Sequence, residues 1–373
     1  METNQYTMLK RISICLSIIL LFSSVIFSQD LESTINDLVK PLLDGKKNLG
    51  IAIGVYDIGS DSPRMFYFGK STKDDETKVT ESTVFEIGSI TKTFTTTMAI
   101  MLEREGKIKL GDPVQNYMPA GVTIHNFSST EPVKLFHLAT QTSGLPRLPA
   151  NLMMNEKTDA KNPYKNYKEE DLNYFINNYI PEYEPGTKYL YSNLGMGLLG
   201  DIMSRASGKS YDEMLHYYLV DSLGMYSTGQ KLTPDMQKNM AKGYTEKGEP
   251  TPLWDFDVLA GCGAIRSSLP DMMKYLAFHM GKTDKFDFKE ALTQLHKRRF
   301  ETDIPNTAIG MAWHVSETSG DRTVVWHNGG TGGFASFMGF IPETSTGVVV
   351  LTNQANTVDN VGVEILKYLN RLK

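Results

Sequence analysis

The sequence predicts an α+β fold: an antiparallel sheet formed from both chain ends, flanked by helices, with a helical subdomain inserted. Three observations predict it. Short runs of β-branched and aromatic residues gather near the two ends of the chain. The stretch between them is rich in Pro, Asn and Tyr and carries helical spacing. No repeat, low-complexity tract or linker separates the parts. The 373 residues are 40% hydrophobic and 22% charged, the make-up of a globular chain long enough to bury a substantial core. A net charge of −5 with no basic cluster argues against nucleic acid and anionic membrane surfaces as partners.

Residues 1–28 read as a cleaved signal, with an uncleaved N-terminal anchor as the alternative. Lys10 and Arg11 precede an apolar run from Ile12 to Phe27, too short and serine-diluted for a bilayer span, and cleavage is expected after Ser28. The remaining 29–373 form one unit, with a sheet part at about 29–104 and 265–373 and a helical part at about 105–264. Residues 31–46 are amphipathic, with Leu31, Ile35, Leu38, Leu42 and Leu43 on one side. Strands follow at Gly50–Tyr56 and Arg64–Phe68, joined by the turn Gly59-Ser60-Asp61-Ser62-Pro63. A helix starts near Ser89, with Phe94, Met98, Met101 and Leu102 on one face. Ser210-Tyr211-Asp212-Glu213 is a capping box that opens another. The chain then returns to strands at Ala308–Val315, Thr323–His327, Phe334–Phe340 and Gly347–Leu351. A final helix carries Val358, Val361, Ile365 and Leu369.

The chain has two cysteines. Cys15 lies in the signal, so Cys262 has no intrachain partner and reads as a small buried apolar residue. There is no G-x-S-x-G elbow, no H-E-x-x-H and no complete phosphate loop, which leaves zinc hydrolysis and phosphoryl transfer without support. Ser89-Ile90-Thr91-Lys92 is the only S-x-x-K. On a helix it lets Lys92 reach back to the Ser89 hydroxyl, where the positive dipole end disfavours an ammonium and favours a developing oxyanion. Read alone, the same residues also describe a capping serine and a solvated lysine.

Three Y-x-N triplets begin at Tyr164, Tyr191 and Tyr368. Tyr164 falls in a polar stretch expected to be an exposed loop, and Tyr368 in the last helix as a packing residue. Tyr191-Ser192-Asn193 sits between the turn Glu184-Pro185-Gly186-Thr187 and the helix Leu194–Ala206, a platform on which a phenol can relay a proton and an amide can hold a carbonyl. A core tyrosine and a capping asparagine fit that position equally well. His327-Asn328-Gly329-Gly330-Thr331-Gly332-Gly333 leaves a strand with glycines that admit close backbone approach. It reads either as an edge for an oxyanion hole or as a plain hairpin loop.

Taken in order, these features resemble the serine β-lactamase and penicillin-recognising D-Ala-D-Ala peptidase superfamily. The class C-like branch, which also holds esterases and D-amino-acid peptidases, is the better match. Phe85-Glu86-Ile87-Gly88-Ser89-Ile90-Thr91-Lys92 resembles its first motif, Tyr191-Ser192-Asn193 its second, and His327-Asn328-Gly329 stands at its third. Leu138–Pro146 and Leu223-Gly224-Met225 support the match, which spans Phe85 to Asn353.

The resemblance implies a β-lactamase/transpeptidase-like fold and an acyl-enzyme on Ser89, with Lys92 and Tyr191 managing its proton. It implies substrate contacts from Asn193, His327, Gly330 and Thr331, with the Ser89 and Gly330 N–H groups forming the oxyanion hole. The expected substrates are β-lactams, D-Ala-type peptides or both, handled without a cofactor or metal. The setting expected is periplasmic or secreted in a bacterium, as a monomer, without a stable membrane span. An esterase or D-aminopeptidase, or a penicillin or muropeptide receptor that does not turn over, are the alternatives. His327 replaces the lysine usual in efficient class C enzymes, and a mostly neutral imidazole recognises a carboxylate less strongly. Arg147 is read as a solvated surface residue.

Overall fold

The computed structural model describes residues 31–45, 49–128, 131–154, 158–283, 288–318 and 320–371, with Lys289 by its backbone alone; the expected signal lies outside them. Its centre is an eight-stranded antiparallel sheet drawn from both ends of the chain. Two strands come from the N-terminal part, β1 (Gly50–Tyr56) and β2 (Arg64–Gly69). Six come from the C-terminal part: β7 (Phe300–Glu301), β8 (Thr307–Ile309), β9 (His314–Glu317), β10 (Thr323–Gly330), β11 (Ala335–Ile341) and β12 (Thr346–Thr352). The order is β2-β1-β12-β11-β10-β9-β8-β7, so the two ends of the chain meet where Ile53 pairs with Val350. Two small pairs lie outside it: β3 (Val84–Glu86) with β6 (Arg266–Ser268), and β4 (Gly243–Tyr244) with β5 (Pro250–Thr251).

Helices cover both faces, which is why β1 and β12 are buried at every position rather than alternating between buried and exposed. Ile51, Ile53, Val55, Val348 and Val350 face one way, onto Leu31, Ile35 and Val39 of α1 (residues 31–44) and Val361, Ile365 and Leu369 of the C-terminal helix Asp359–Asn370. Ala52, Val349 and Leu351 face the other way, into the main core. That core is shared with α2 (Thr91–Arg104), the helix Leu269–His279 and the helical region between residues 105 and 265. The fold class predicted from the sequence is the one observed.

Some stretches differ from expectation. The continuous strand expected over Ala308–Val315 is a hairpin: Ile309 pairs with His314, and Gly310–Trp313 turn between them with Ala312 at a φ of +63°. The turn is drawn inward because the Ala312 N–H donates to Ala139 O and Trp313 is fully buried. The helix Leu269–His279, which packs on β1 and β12, had no counterpart in the sequence reading. Its signal is present, since Ser268 caps it through the Asp271 N–H and Pro270 occupies its first turn.

His279 and His314 are buried, His296 packs against His279, and the three are expected to make the fold acid-sensitive. His279 Nδ1 lies 3.0 Å from His296 Nε2, and His314 stacks on Trp326 with its Nε2 3.3 Å from the Tyr189 hydroxyl. Burial holds His279 well below the usual 6.5, His296 down to about 3 and His314 to about 4. An unfolded chain protonates these rings near 6.5. Their contribution is therefore complete above that pH and is lost as pH falls, down to about 4 for His314 and about 3 for His296. The loss is at most about 1.4 kcal/mol per pH unit for each ring. We expect the urea midpoint to hold from pH 8 to 7 and to fall steeply from pH 6 to 4; an unchanged midpoint across the lower range would contradict this.

Candidate active site

Ser89 sits in a short 3₁₀ turn, Gly88–Ile90, that runs straight into α2. From Thr83 to Leu102 every residue is buried except Ser89, so one hydroxyl is offered from an otherwise closed segment. Gly88 has a φ of +50°, and a Cβ there would come within 2.6 Å of Gly330 N. Only glycine permits both the left-handed turn and the approach of the two backbones.

Lys92, one turn on, has no exposed surface. Its Nζ donates to Ser89 Oγ at 2.9 Å and to Cys262 O at 2.6 Å, and stands 4.8 Å from the centre of the Tyr191 ring. No carboxylate pairs with it among the described residues. The Cys262 carbonyl is held in place because Thr95 Oγ1 donates to Gly261 O at 2.7 Å and Thr91 Oγ1 accepts from Ile265 N at 3.2 Å. The Cys262 thiol is buried, as expected, and burial pushes it up to about 11.

Tyr191 and Asn193 are presented by a loop tied to the segment 141–147. Ser192 N donates to Gln141 Oε1 at 2.6 Å, Ser192 Oγ to Pro146 O at 2.7 Å, and Asn193 N to Arg147 O at 2.9 Å. Ser192 is the cap of the helix Asn193–Ser207, accepting from Gly195 N at 2.8 Å, so Asn193 is not the capping residue and its side chain is available for other contacts. Arg147 is exposed, as expected, but it is not merely solvated: its guanidinium lies 4.9 Å from the Tyr191 ring centre.

His327 is buried within β10, with its ring 6.3 Å from that of Tyr191 and 5.4 Å from that of His314. Its Nδ1–H donates to Asn328 O, which leaves Nε2 buried with no partner among the described residues. Burial, and then the nearby His314 and Lys92, hold it well below 6.5, so the ring is neutral. The glycines after it are part of a strand and not a free loop: Gly329 pairs with Ser336 and Gly330 with Ala335. Gly330 is exposed beside Gly88, while Thr331 is buried next to Glu86.

The structure thus gathers Ser89, Lys92, Tyr191 and His327 into one cluster, with Gly330 beside the Ser89 turn and Asn193 beside Tyr191. Sequence reasoning missed three neighbours. Tyr164 was expected in an exposed loop, but it is buried, stacks on Phe256 at 4.5 Å and accepts from Asn193 Nδ2 at 2.9 Å. Trp254 reaches the Glu86 carboxylate through its backbone N–H at 2.8 Å. Glu86 is buried with Arg266 at 3.5 Å, and Arg266 also donates to Trp254 O and Gln230 O. Burial raises the Glu86 carboxyl, while Arg266 and Thr331 oppose it. Only Glu86 carried a local signal, three residues before Ser89. Among the described residues no cluster of three or more His, Cys, Asp or Glu side chains could hold a metal ion.

A helix-flanked antiparallel sheet presenting a serine and a buried lysine on the first turn of a core helix defines a class of fold seen in solved structures. A class C β-lactamase in complex with cefoxitin superposes with a TM-score of 0.78 at 25% identity, covering 91% of this chain and 99% of that one. An octameric penicillin-binding protein homologue from Pyrococcus abyssi also gives 0.78, at 24% identity over 93% of this chain and 78% of its own. The Beta-lactamase family pattern matches residues 35–369, and the chain belongs to that family. A β-lactamase of Pseudomonas fluorescens is 26% identical over 87% of this chain and 94% of its own. The D-alanyl-D-alanine-carboxypeptidase/endopeptidase AmpH of Escherichia coli K12 is 26% identical over 90% and 91%.

The site's backbone packing can be tested apart from chemistry. A Cβ on Gly329 would collide with the Ile87 carbonyl just ahead of the Ser89 turn, whereas one on Gly330 meets nothing closer than 4.0 Å. Gly329→Ala is expected to cost about 1–3 kcal/mol and lower the melting temperature by several degrees, and Gly330→Ala to leave it within about one degree. Equal effects in thermal melts would contradict the packing described.

Proposed function

We propose that this chain is an exported serine hydrolase that works through an acyl-enzyme on Ser89, opening β-lactam rings, cleaving D-Ala-D-Ala-type peptide bonds, or both. The observation that carries the reading is the Lys92 amine, sealed from water and bonded to the hydroxyl of the single accessible residue in its segment. Ser89 Oγ attacks the carbonyl carbon, its proton passes to the Lys92–Tyr191 pair, and a C–O bond forms. The C–N bond then breaks, and Tyr191 delivers the proton to the departing nitrogen. Water cleaves the ester in the second step, with the same pair taking its proton and returning one to Ser89.

The Ser89 N–H lies at the start of a helical turn, where a donor has no intrahelical acceptor, and the exposed Gly330 backbone adjoins it. Together they would form the oxyanion hole, with ~3 kcal/mol of transition-state stabilisation from each donor. Asn193 would orient the acyl amide, and His327 with Thr331 would face a substrate carboxylate. His327 is neutral and contributes no positive charge there, which favours substrates that do not depend on a strongly held carboxylate. The two relatives named for different substrates are equally identical to this chain, at 26%, which supports keeping both substrate classes. Removal of residues 1–28 on export, a peptidoglycan-derived or other small-molecule substrate, a monomeric state and the division into a sheet part and a helical part complete the proposal. Among the described residues no helix is long and apolar enough to cross a membrane.

Ser89→Ala tests it directly. Turnover of a chromogenic cephalosporin and release of D-alanine from an acyl-D-Ala-D-Ala peptide are expected to fall about 10⁴-fold or more, with an unchanged melting temperature. Retained turnover in the alanine variant would overturn the assignment.

A further inference from the structure

The contact between Asn193 and Tyr164 is not explained by packing alone. Tyr164 enters the site from a loop zipped to the segment 251–258. Asn162 Nδ2 donates to Asp255 Oδ2 at 3.0 Å, Asp255 N to Asn162 Oδ1 at 2.8 Å, and Trp254 Nε1 to Lys161 O at 3.0 Å. The ring lies between Phe256, stacked at 4.5 Å, and Trp254, at 5.5 Å. This segment is in turn anchored to Glu86, three residues before Ser89, through Trp254 N. So the phenol oxygen has a fixed place, and it accepts from Asn193 Nδ2 at 2.9 Å. Desolvation by burial pushes the phenol far above its usual range, so it remains a neutral group at every working pH.

An amide has a donor end and an acceptor end, and only the contacts around it decide which end faces a ligand. With Nδ2 drawn to Tyr164, Oδ1 is turned inward, where it is buried without a partner among the described residues. Asn193 itself is half-buried, so the edge of its amide that a substrate meets is the nitrogen, with one N–H still unspent. We propose that Tyr164 is a positioning residue that holds the Asn193 amide nitrogen toward the cleft. This selects substrates carrying a carbonyl oxygen on the acyl side, as an acylamino group does. The inference rests on the acyl-enzyme reading and deepens it: the chain discriminates for an acylated side chain through a tyrosine distant in sequence.

The test compares benzylpenicillin, which carries an acylamino carbonyl, with 6-aminopenicillanic acid, which lacks it. Acylation of the full mature chain is followed by intact mass in wild type, Tyr164→Phe, Asn193→Ala and the double variant. The phenylalanine ring keeps the stack on Phe256 and loses only the oxygen. Tyr164→Phe is expected to slow benzylpenicillin acylation about tenfold and to change 6-aminopenicillanic acid by less than about twofold. In the Asn193→Ala background it should add nothing further, because the two residues act as one unit. Equal slowing of both substrates, or additive effects in the double variant, would overturn the positioning role. If wild type formed no adduct on Ser89 and consumed neither compound, the β-lactam part of the acyl-enzyme reading would fall, and this inference with it. Should Tyr164→Phe not fold, Phe256→Leu loosens the same ring without touching Asn193 and must show the same selective loss; equal loss on both substrates would overturn the role.

Discussion

Lys92 has no exposed surface and meets no carboxylate among the described residues, so its nitrogen depends on two oxygens, Ser89 Oγ and Cys262 O. A buried polar nitrogen without such acceptors would cost several kcal/mol. Much of the surrounding structure follows from supplying them. Thr91 and Thr95 stitch the 261–265 segment to α2, which sets the Cys262 carbonyl over the lysine. The 3₁₀ turn ahead of α2 turns Ser89 back toward the same nitrogen.

The second constraint is close backbone approach. Gly88 and Gly330 touch, and the Ser336 hydroxyl donates to Ile87 O at 2.9 Å, so the interior strands β10 and β11 of the large sheet are held against the turn that carries Ser89. The sheet is itself closed by the pairing of β1 with β12, which joins the two ends of the chain. A local geometry at Ser89 is thereby fixed by contacts some 250 residues apart in sequence, with the partner 249 positions away in the case of Ser336 and Ile87. Preorganisation of this kind allows donors to be aimed before a substrate arrives.

The parts of the fold and site that were legible in the sequence are those whose signal is local. Ser89 and Lys92 are three residues apart where a 3₁₀ turn runs into one helix, and the apolar runs Gly50–Tyr56 and Gly347–Leu351 are buried on both faces. The capping box at Ser210 likewise forms as read, with Ser210 Oγ accepting from Glu213 N. What was not legible depends on distant partners. Tyr164 looked like a loop residue because its neighbours Lys161, Lys165 and Lys168 are polar; Trp254 and Phe256, some ninety residues on, are what bury it. The hairpin at Gly310–Trp313 is imposed by the Ala139 carbonyl and by burial of Trp313, neither of which a run of apolar residues reveals. His327 was legible as a departure, but its burial against His314 and Tyr191 was not.

The central claim is that one lysine, closed off from water, serves one accessible serine. Its most direct measurement is the intact mass of the mature chain over time after mixing with benzylpenicillin, with peptide mapping of any adduct, in wild type and Lys92→Ala. The account predicts a penicilloyl group on Ser89 alone, formed in wild type and lost or greatly slowed in the lysine variant. An adduct elsewhere, or one that forms on Ser89 equally fast without Lys92, would contradict it.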